Sequence, residues 1–560
     1  MSETIIHTVA IIGAGPRGLT ALEALVEATS GTPHGGELSI LLLQQQGPKG
    51  AGPNHDPAQS EANWINISER AMDIPGRPAI SGSLTIPAFP GYHDWAALDV
   101  TDKTQPDTFP PRAKLGTYLM ERYESIARTL RNTGVLRELE TTVTDIKPGD
   151  KVIELFTPDE TYHVQEVLVC AGHQPVKPDK QLATWLQTDQ DAQVSLFAEP
   201  YPVEEIVADL RPPVTVALRG YGLTMIDVIR AIAMRHGSFE RNEDSGRLSY
   251  VPDHEVSITL IPFSKDGLPP VPKPFNALVD GMYAPSDTQL DALMSDVDHI
   301  IHRGVGDQAL AVVHRIGRLA VSKFAEITGQ EVDDPQALVS GVWNYMMDQV
   351  PHHTCTNLEQ SPAELMANFV AMANGEVLPT LDFTLGQVWR HCHPTLYKLL
   401  DHSSLPDAAV VDFVGYDERM KQYTYGPPVE SIEQLLALYD HGMLQLQYVK
   451  DPEIDITHKG WVLKSGSEEL IATVMVNTVL ADPDVAATTT DLINALCGMH
   501  GVSVYDQLGF KTDPAGCIAT DQRLCVLGRL SKGSVLGTDA ILECFNDQPR
   551  RWAAGLLERL

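Results

Sequence analysis

The apolar and polar positions at the start of the chain follow the succession of a buried strand, a tight turn and a helix. Residues 8–12 form a continuous apolar run, a glycine-rich turn follows at 13–18, and 19–28 has helical periodicity. A second apolar run at 38–43 completes the succession. Continuous runs of this length are typical of parallel strands that are buried on both faces. The pattern therefore predicts a β-α-β unit at the start of the chain.

A similar succession returns in the middle of the chain. A strand is predicted at 214–218, a turn at 220–222, a helix at 223–235 and a strand at 256–263. Residues 284–402 lack strand patterns and contain several helical ones, while strand-like runs return at 409–414, 469–480 and 524–528. The predicted fold class is α/β, with two interleaved Rossmann-like dinucleotide-binding domains and an α-helical insert. The expected division is a first domain at 1–204 and 405–560, a second domain at 205–280, and the insert at 281–404.

The first turn has the G-x-G-x-x-G spacing of a dinucleotide-binding loop, with a strand before it and a helix after it. Gly13 permits the tight turn, Gly15 lets the backbone approach a pyrophosphate, and Gly18 lets the helix pack against the strand. The usual acidic residue for the ribose hydroxyls is absent, and we place Gln45 at its position. A glycine turn that binds nothing, and a merely solvated glutamine, remain the alternatives.

The second turn keeps two of the three glycines, Gly220 and Gly222, and has Met225 at the third position. Ser264 and Lys265 follow the next predicted strand, where an acidic residue would select a free ribose 2′-hydroxyl. A hydroxyl and an ammonium group suit a 2′-phosphate, so the sequence favours NADPH over NADH. The alternative is a degenerate turn that serves only the fold.

The composition narrows the class of partner. The chain has 560 residues, with 41 Lys and Arg against 74 Asp and Glu and a net charge of −33, which disfavours nucleic acid and anionic membrane surfaces. The start of the chain lacks the basic region of a signal peptide, and no apolar run is long enough to span a membrane, so we expect a cytoplasmic protein. Seven scattered cysteines without a C-x-x-C pair predict reduced thiols. The clusters at 352–355 and 391–393 lack the spacing of a metal site, so no metal is expected.

Segments along nearly the whole chain resemble the bacterial FAD-NAD(P)-binding family, which is related to flavin-dependent monooxygenases. The segment VAIIGAGPRGLTALEAL at 9–25 resembles the start of that family. Further resemblance lies in GPKGAG (47–52), WINI (64–67), RAKLGTYL (112–119), TVTDI (142–146), EVLVCAGHQP (166–175), RGYGLTMID (219–227) and YGPPVESIEQLLALYDHGML (425–444). The glutamine at Gln45 departs from the family's pattern and weakens the expected ribose contact.

Together with the glycine motifs, the resemblance implies FAD in the first domain and NADPH in the second. The residues expected at FAD are Gly13, Gly15, Pro16, Arg17, Gly18, Gln45, Asn66, Val143, Ala171, Gly172 and Gly528. The residues expected at NADPH are Gly220, Gly222, Thr224, Ser264 and Lys265. Arg17, Arg219 and Lys265 are expected to place positive charge near the two anionic cofactors.

The resemblance implies an FAD- and NADPH-dependent oxidoreductase, foremost a monooxygenase of specialised metabolism. Such an enzyme oxidises a small-molecule substrate with molecular oxygen through a peroxyflavin. The first cysteine, Cys170, lies in a predicted strand, which disfavours the redox cysteine pair of a disulfide reductase. A flavin oxidase or dehydrogenase that does not use NADPH, and a non-catalytic FAD-binding sensor or scaffold, remain the alternatives. A homo-oligomer is left open.

Three residues are candidates for a catalytic role. His173 follows the turn at Ala171 and Gly172 and could lie beside the flavin, although an ordinary turn histidine is the simpler interpretation. Trp95 belongs to the Gly- and Pro-rich loops at 47–110, which are expected to cover a site. Arg112 could bind a phosphate or an acidic substrate, or form an ordinary ion pair. Substrate specificity is expected from loops at 53–110 and from the insert.

Overall fold

The structure is a computed structural model that describes residues 6–33, 38–45, 47–188, 194–254, 257–304, 306–518 and 521–560. The strands are β1 (Ile6–Ile12), β2 (Ile40–Leu43), β3 (Leu136–Leu139), β4 (Asp145–Pro148), β5 (Ile153–Phe156), β6 (Thr161–Val169), β7 (Ser195–Phe197), β8 (Val214–Arg219), β9 (Gly237–Arg241), β10 (Leu248–Pro252), β11 (Ile258–Phe263), β12 (Glu453–Thr457), β13 (Gly460–Ser465), β14 (Glu468–Ala472), β15 (Val474–Asn477) and β16 (Leu524–Val526). The helices are α1 (Pro16–Ser30), α2 (Tyr92–Trp95), α3 (Arg112–Asn132), α4 (Lys180–Gln187), α5 (Val203–Asp209), α6 (Leu223–His236), α7 (Ala277–Gly281), α8 (Asp287–Arg303), α9 (Gln308–Thr328), α10 (Pro335–Asp348), α11 (Pro362–Ala373), α12 (Leu381–Leu400), α13 (Asp407–Thr424), α14 (Val429–Asp440), α15 (Asp491–Cys497) and α16 (Gln548–Arg559).

A mixed sheet of seven strands carries the first glycine turn. Its order is β3-β2-β1-β6-β5-β4, and β16 pairs in parallel with the C-terminal half of β6. Strands β1, β2, β3, β6 and β16 are parallel, whereas β4 and β5 form the expected antiparallel hairpin. The carboxyl ends of β1, β6 and β16 therefore meet at one edge, which is where open α/β sheets bind their ligands.

A second, all-parallel sheet carries the second glycine turn, and its order is β11-β8-β15-β7. The expected boundaries differ here, because we had placed 1–204 and 405–560 wholly in the first domain. Strand β15 fits between β7 and β8 by pairing Val474 with both Ser195 and Val216. The buried side chains of β15 thus complete the second sheet. Two parallel-stranded units nevertheless confirm the α/β fold class with two Rossmann-like domains.

Helices α8 to α13 pack around a large apolar core of their own. The predicted strand at 409–414 is wrong, because these residues lie inside α13. The buried positions of α13 include Val410, Phe413, Val414 and Asp417, which recur every three or four residues as on one face of a helix. The helical region therefore extends beyond the expected end at 404.

The structure pairs two of the seven cysteines. Cys517 and Cys525 form a disulfide beside β16, so the prediction that all seven cysteines are reduced is wrong for this pair. An antiparallel bridge brings the two residues opposite each other, a contact that sequence spacing alone does not reveal.

Within the part of the chain that the structure describes, no helix combines the length and apolar character that crossing a membrane requires.

Candidate active site

The first glycine turn lies between the end of β1 and the start of α1. Gly13 has φ +98°, and a Cβ on it would lie 2.8 Å from the carbonyl carbon of Cys170. A Cβ on Gly18 would lie 3.0 Å from the carbonyl carbon of Gly13. Around Gly15, in contrast, the nearest atom to such a Cβ is the Gly52 Cα, 3.9 Å away. Two glycines are thus needed for close packing, and the third leaves open space above the helix.

The N-terminus of α1 is free to bind an anion. No side chain caps it, and its first turn contains no acidic residue. The unpaired N–H groups and the helix dipole favour a phosphate at this place. This cradle fits a pyrophosphate, and the role of the backbone from Gly13 to Gly18 in holding that of FAD stays a prediction.

Gln44, rather than Gln45, contacts the glycine turn. Its Oε1 accepts a hydrogen bond from the backbone N–H of Ala14 at 2.8 Å, and its Nε2 donates to the carbonyl oxygen of Gly47 at 2.6 Å. Gln45 is exposed just beyond β2, so its ribose contact stays a prediction. Three glutamines follow each other at 44–46, and the sequence alone does not fix the strand register that decides which of them reaches the turn.

The side chain of Arg17 points away from the glycine turn. Its guanidinium donates to the carbonyl oxygen of Gly537 at 3.1 Å and to Gln548 Oε1 at 3.3 Å. A Cβ on Gly528, which has φ +76°, would lie 3.3 Å from the Arg17 side chain. The guanidinium therefore binds the C-terminal segment, and the expectation that its charge lies near the cofactor stays a prediction.

The other residues expected at FAD lie in different settings. Ala171 and Gly172 follow β6 directly, at the same sheet edge as Gly13. Val143 is buried just before β4. Asn66 is farther along, where its Nδ2 donates to the carbonyl oxygen of Tyr425 at 3.2 Å. Ala171 and Gly172 therefore lie at the sheet edge with the glycine turn, whereas Asn66 lies where its loop contacts the end of α13.

The second glycine turn repeats this geometry at the end of β8. Gly220 has φ +120°, and a Cβ there would lie 2.5 Å from Thr478 Oγ1. No atom lies within 4 Å of a Cβ on Gly222, and α6 begins there without a side-chain cap. Met225 and Thr224 are buried in the core behind the turn. The turn has the open space and the free helix N-terminus that a second dinucleotide requires.

Lys265 and Ser264 follow β11, as predicted, but only Lys265 is exposed. The Ser264 hydroxyl donates to Asp266 Oδ1 at 3.0 Å and accepts from the N–H of Gly267. Asp266 itself pairs with Arg419 at 2.6 Å. The lysine is thus the available cation at this strand end, and the serine is already used in a turn.

Arg219, which the sequence predicts to add charge near this turn, has partners within the protein. Its guanidinium donates to Asp179, Gln181 and Asn477, at distances of 2.6 to 2.9 Å. These bonds join β8 to α4 and β15. The guanidinium therefore stabilises the second domain, and its contribution to cofactor binding stays a prediction.

The three catalytic candidates lie apart. His173 is exposed at the edge of the first sheet, shortly after the end of β6. Trp95 packs edge-on against Tyr118 and donates to Glu121 Oε2 at 2.7 Å.

Arg112 forms an ion pair with Asp227 at 2.7 Å and also donates to the hydroxyl of Tyr201. Its bonds connect α3 to the second domain. The ordinary ion pair that sequence reasoning had left open is therefore present, and of the three candidates His173 lies nearest to the sheet edge that carries the glycine turn.

A buried ion-pair network ties the end of the first sheet to α13. Asp539 accepts bonds from Arg529 at 2.7 Å, Lys421 at 2.8 Å and Lys532 at 3.1 Å. Although burial opposes it, Lys532 and the other two cations hold the pKa of Asp539 well below its usual value. The network fixes the helical region against the residues that follow Gly528.

A cavity of about 1170 Å³ lies between α1, the loop around Asn66, α12 and the C-terminal segment. Eight Lys and Arg and seven Asp and Glu side chains line it, so the charge of this cavity is nearly balanced in a chain of net charge −33. Its inner end contains Asn66 and Tyr425, and its wall includes Gly537, the residue bonded to Arg17. On the wall, burial raises the pKa of Asp401 to about 6.

Sequence reasoning missed the charged residues at the inner end of this cavity. They are Arg70, Asp107, Lys273, Asp280, Arg390 and His391. They come from three loops and two helices, and no spacing in the sequence connects them. Only the expectation that the loops at 53–110 and the insert supply specificity pointed in their direction.

Comparisons with known proteins show which proteins this chain is similar to. The sequence model of a family described as FAD-NAD(P)-binding matches residues 10–174, which confirms the predicted cofactor-binding domain. A nitrosuccinic acid synthase from Aspergillus oryzae is 23% identical over 90% of this chain and 83% of its own length. An L-aspartate N-monooxygenase (nitrosuccinate-forming) from Streptomyces davaonensis is 25% identical over 44% of this chain and 41% of its own length. Among solved structures, an L-lysine 6-monooxygenase from Pseudomonas syringae covers 99% of this chain and 100% of its own, with 14% identity and a TM-score of 0.49.

Proposed function

We propose that this chain, whose residues 10–174 match the FAD-NAD(P)-binding family, is an FAD- and NADPH-dependent N-monooxygenase of a small acidic amino acid. The observation that carries the proposal is the charged cavity between α1, the loop around Asn66, α12 and the C-terminal segment, which contains lysine and arginine side chains for a carboxylate. The names of the two relatives, one acting on L-aspartate and both producing nitrosuccinate-type compounds, support the same reaction class. L-Aspartate is therefore the leading substrate.

The chain's own residues hold and orient the reactants. The backbone from Gly13 to Gly18 holds the FAD pyrophosphate, and the turn from Gly220 to Gly222 with Lys265 holds NADPH. Bound FAD, reduced by NADPH, supplies the activation of molecular oxygen. One oxygen atom enters the new N–O bond, the other leaves as water, and NADPH supplies two electrons.

The cavity contributes binding. Its lysine and arginine side chains attract the carboxylates of the substrate and leave the amine as the group that reacts. Helix α12 and the C-terminal segment form two of the walls around the bound substrate.

The proposal is tested by measuring NADPH oxidation by the FAD-loaded protein in air. L-Aspartate should stimulate the rate and give an N-oxidised product by mass spectrometry, whereas L-lysine should not stimulate it. Succinate, which has the carboxylates but no amine, should give no N-oxidised product. A protein that oxidises L-aspartate without NADPH would be an oxidase, and one that binds FAD but reacts with none of these compounds would fit a scaffold.

A further inference from the structure

Lys273 places a half-buried amine on the wall of the cavity. It lies between β11 and α7, and its Nζ donates to the backbone carbonyl oxygen of Asn66. Among the described residues, no carboxylate oxygen lies within 4.0 Å of Nζ. An ammonium group has three donors, so two of them remain for a ligand.

The arginines around Lys273 already have acidic partners. Arg70 binds Asp107 through two hydrogen bonds, of 2.8 and 2.7 Å, and lies 3.2 Å from Asp280. Arg390 also pairs with Asp280. Two carboxylates thus balance two guanidinium groups, and a protonated Lys273 adds one positive charge without a partner.

The charged groups that face this amine come from every element around it. They are Arg70 and Asp107 from the loops, Asp280 from α7, and Arg390 and His391 from α12. Burial first, and then Arg390, lower the pKa of Lys273 to about 7, while Asp280 and Asp107 act in the opposite direction. At neutral pH the amine is therefore close to half protonated.

We propose that Lys273 is the specificity-determining residue of the cavity, whose ammonium group binds a carboxylate of the acidic substrate. This inference rests on the proposed function, since it names the group that selects the substrate of that same site. A carboxylate supplies the missing counter-charge, and both of its oxygens can accept from the two free donors of Nζ. Arg70 and Arg390 are positioning residues, since Asp107 and Asp280 hold them in place around the amine.

The proposal has a consequence for protons. A bound carboxylate favours the charged form of the amine and raises its pKa. Above pH 7, where the free amine is mostly neutral, ligand binding must take up a proton at Nζ. Below pH 6 the amine is already charged, so the uptake disappears.

The test uses the FAD-loaded protein and three variants. K273M removes the charge and keeps the length of the side chain, K273R restores a charge, and K459M changes a lysine on the exposed turn between β12 and β13 as a control. Isothermal titration calorimetry with L-aspartate and with succinate gives the Kd values. Repeating it at pH 8 in two buffers of different ionisation heat gives the number of protons taken up.

The expected results separate the subsite from the reaction. K273M should raise the Kd for both ligands about 10- to 150-fold, because it removes a hydrogen bond to a charged group. K273R should stay within about tenfold of the wild type, K459M should match it, and proton uptake should vanish in K273M and K273R. If K273M instead lowered kcat without a change in Kd, the lysine would act in proton transfer and not in carboxylate binding. The same conclusion would follow if K273R raised the Kd as much as K273M does.

Two outcomes would overturn the inference. One is a K273M variant whose Kd for succinate stays within twofold of the wild type. The other is a wild-type protein that binds neither succinate nor L-aspartate. If the wild type binds succinate through Lys273 but oxidises no amine, the carboxylate subsite stands and only the proposed function fails.

Discussion

Replacing Gly13 with alanine tests the geometry of the first cofactor loop. The residue has φ +98°, which costs an alanine about 1–2 kcal/mol. Its Cβ would lie 2.8 Å from the carbonyl carbon of Cys170 and closer still to the carbonyl oxygen, so β1 and β6 would have to separate by at least about 0.7 Å to reach ordinary contact. The parallel ladder between these strands resists that shift. With about 1–3 kcal/mol for overpacking, we expect a total destabilisation of about 2–5 kcal/mol.

The assay combines urea unfolding with the ratio of flavin to protein after gel filtration. G13A should unfold at lower urea and lose FAD, because the displaced turn no longer places its N–H groups on the pyrophosphate. The control is G31A at the other end of α1, where φ is −93° and no atom lies within 4 Å of the new Cβ. It should change stability by less than about 0.5 kcal/mol and retain FAD. A G13A variant with wild-type unfolding and a full complement of FAD would refute the reasoning.

Three further predictions concern charges elsewhere in the molecule. K265A should raise the KM for NADPH about tenfold and leave the KM for NADH unchanged, while K459A on an exposed turn should change neither; steady-state kinetics checks this. D539N should lower the free energy of unfolding by about 3–5 kcal/mol in urea titrations, because three cations lose their shared carboxylate. Because the pKa of Asp539 is depressed in the folded protein, its ionised carboxylate stabilises the fold above the unfolded pKa of about 3.9, and this stabilisation is lost as the pH falls further. D539N lacks this carboxylate, so its free energy of unfolding should decrease less than that of the wild type below pH 4. W389F removes the indole N–H that donates to Asp417 at 2.9 Å and should cost about 1–3 kcal/mol in the same titration.

The two glycine turns were predictable because their signal is local. A strand, three glycines at fixed spacing and a helix lie within about twenty consecutive residues, and backbone sterics alone demand most of them. The fold class followed from the same two signals. Gln44 and Gln45 mark the limit of that approach, because a shift of one residue in strand register decides which side chain reaches the turn.

The errors have physical causes outside local sequence. The run at 409–414 is short and apolar, which suits a strand or a helix, and its inclusion in the longer periodic face of α13 decides the matter. Strand β15 joins the second sheet because two other strands, distant in sequence, leave a gap that it fills. Lys273 and Asp280 meet Arg390 only after the helical region has folded against the loops, so no motif could announce the cavity.

The central claim is that the chain forms a new N–O bond at the amine of an acidic amino acid, with the oxygen atom taken from molecular oxygen. Mass spectrometry of the product made from L-aspartate and NADPH under ¹⁸O₂ tests it most directly. The account predicts an N-oxidised product that carries ¹⁸O and forms only when NADPH is present. The claim would be contradicted if L-aspartate stayed unchanged and unlabelled while one molecule of hydrogen peroxide formed for each NADPH oxidised.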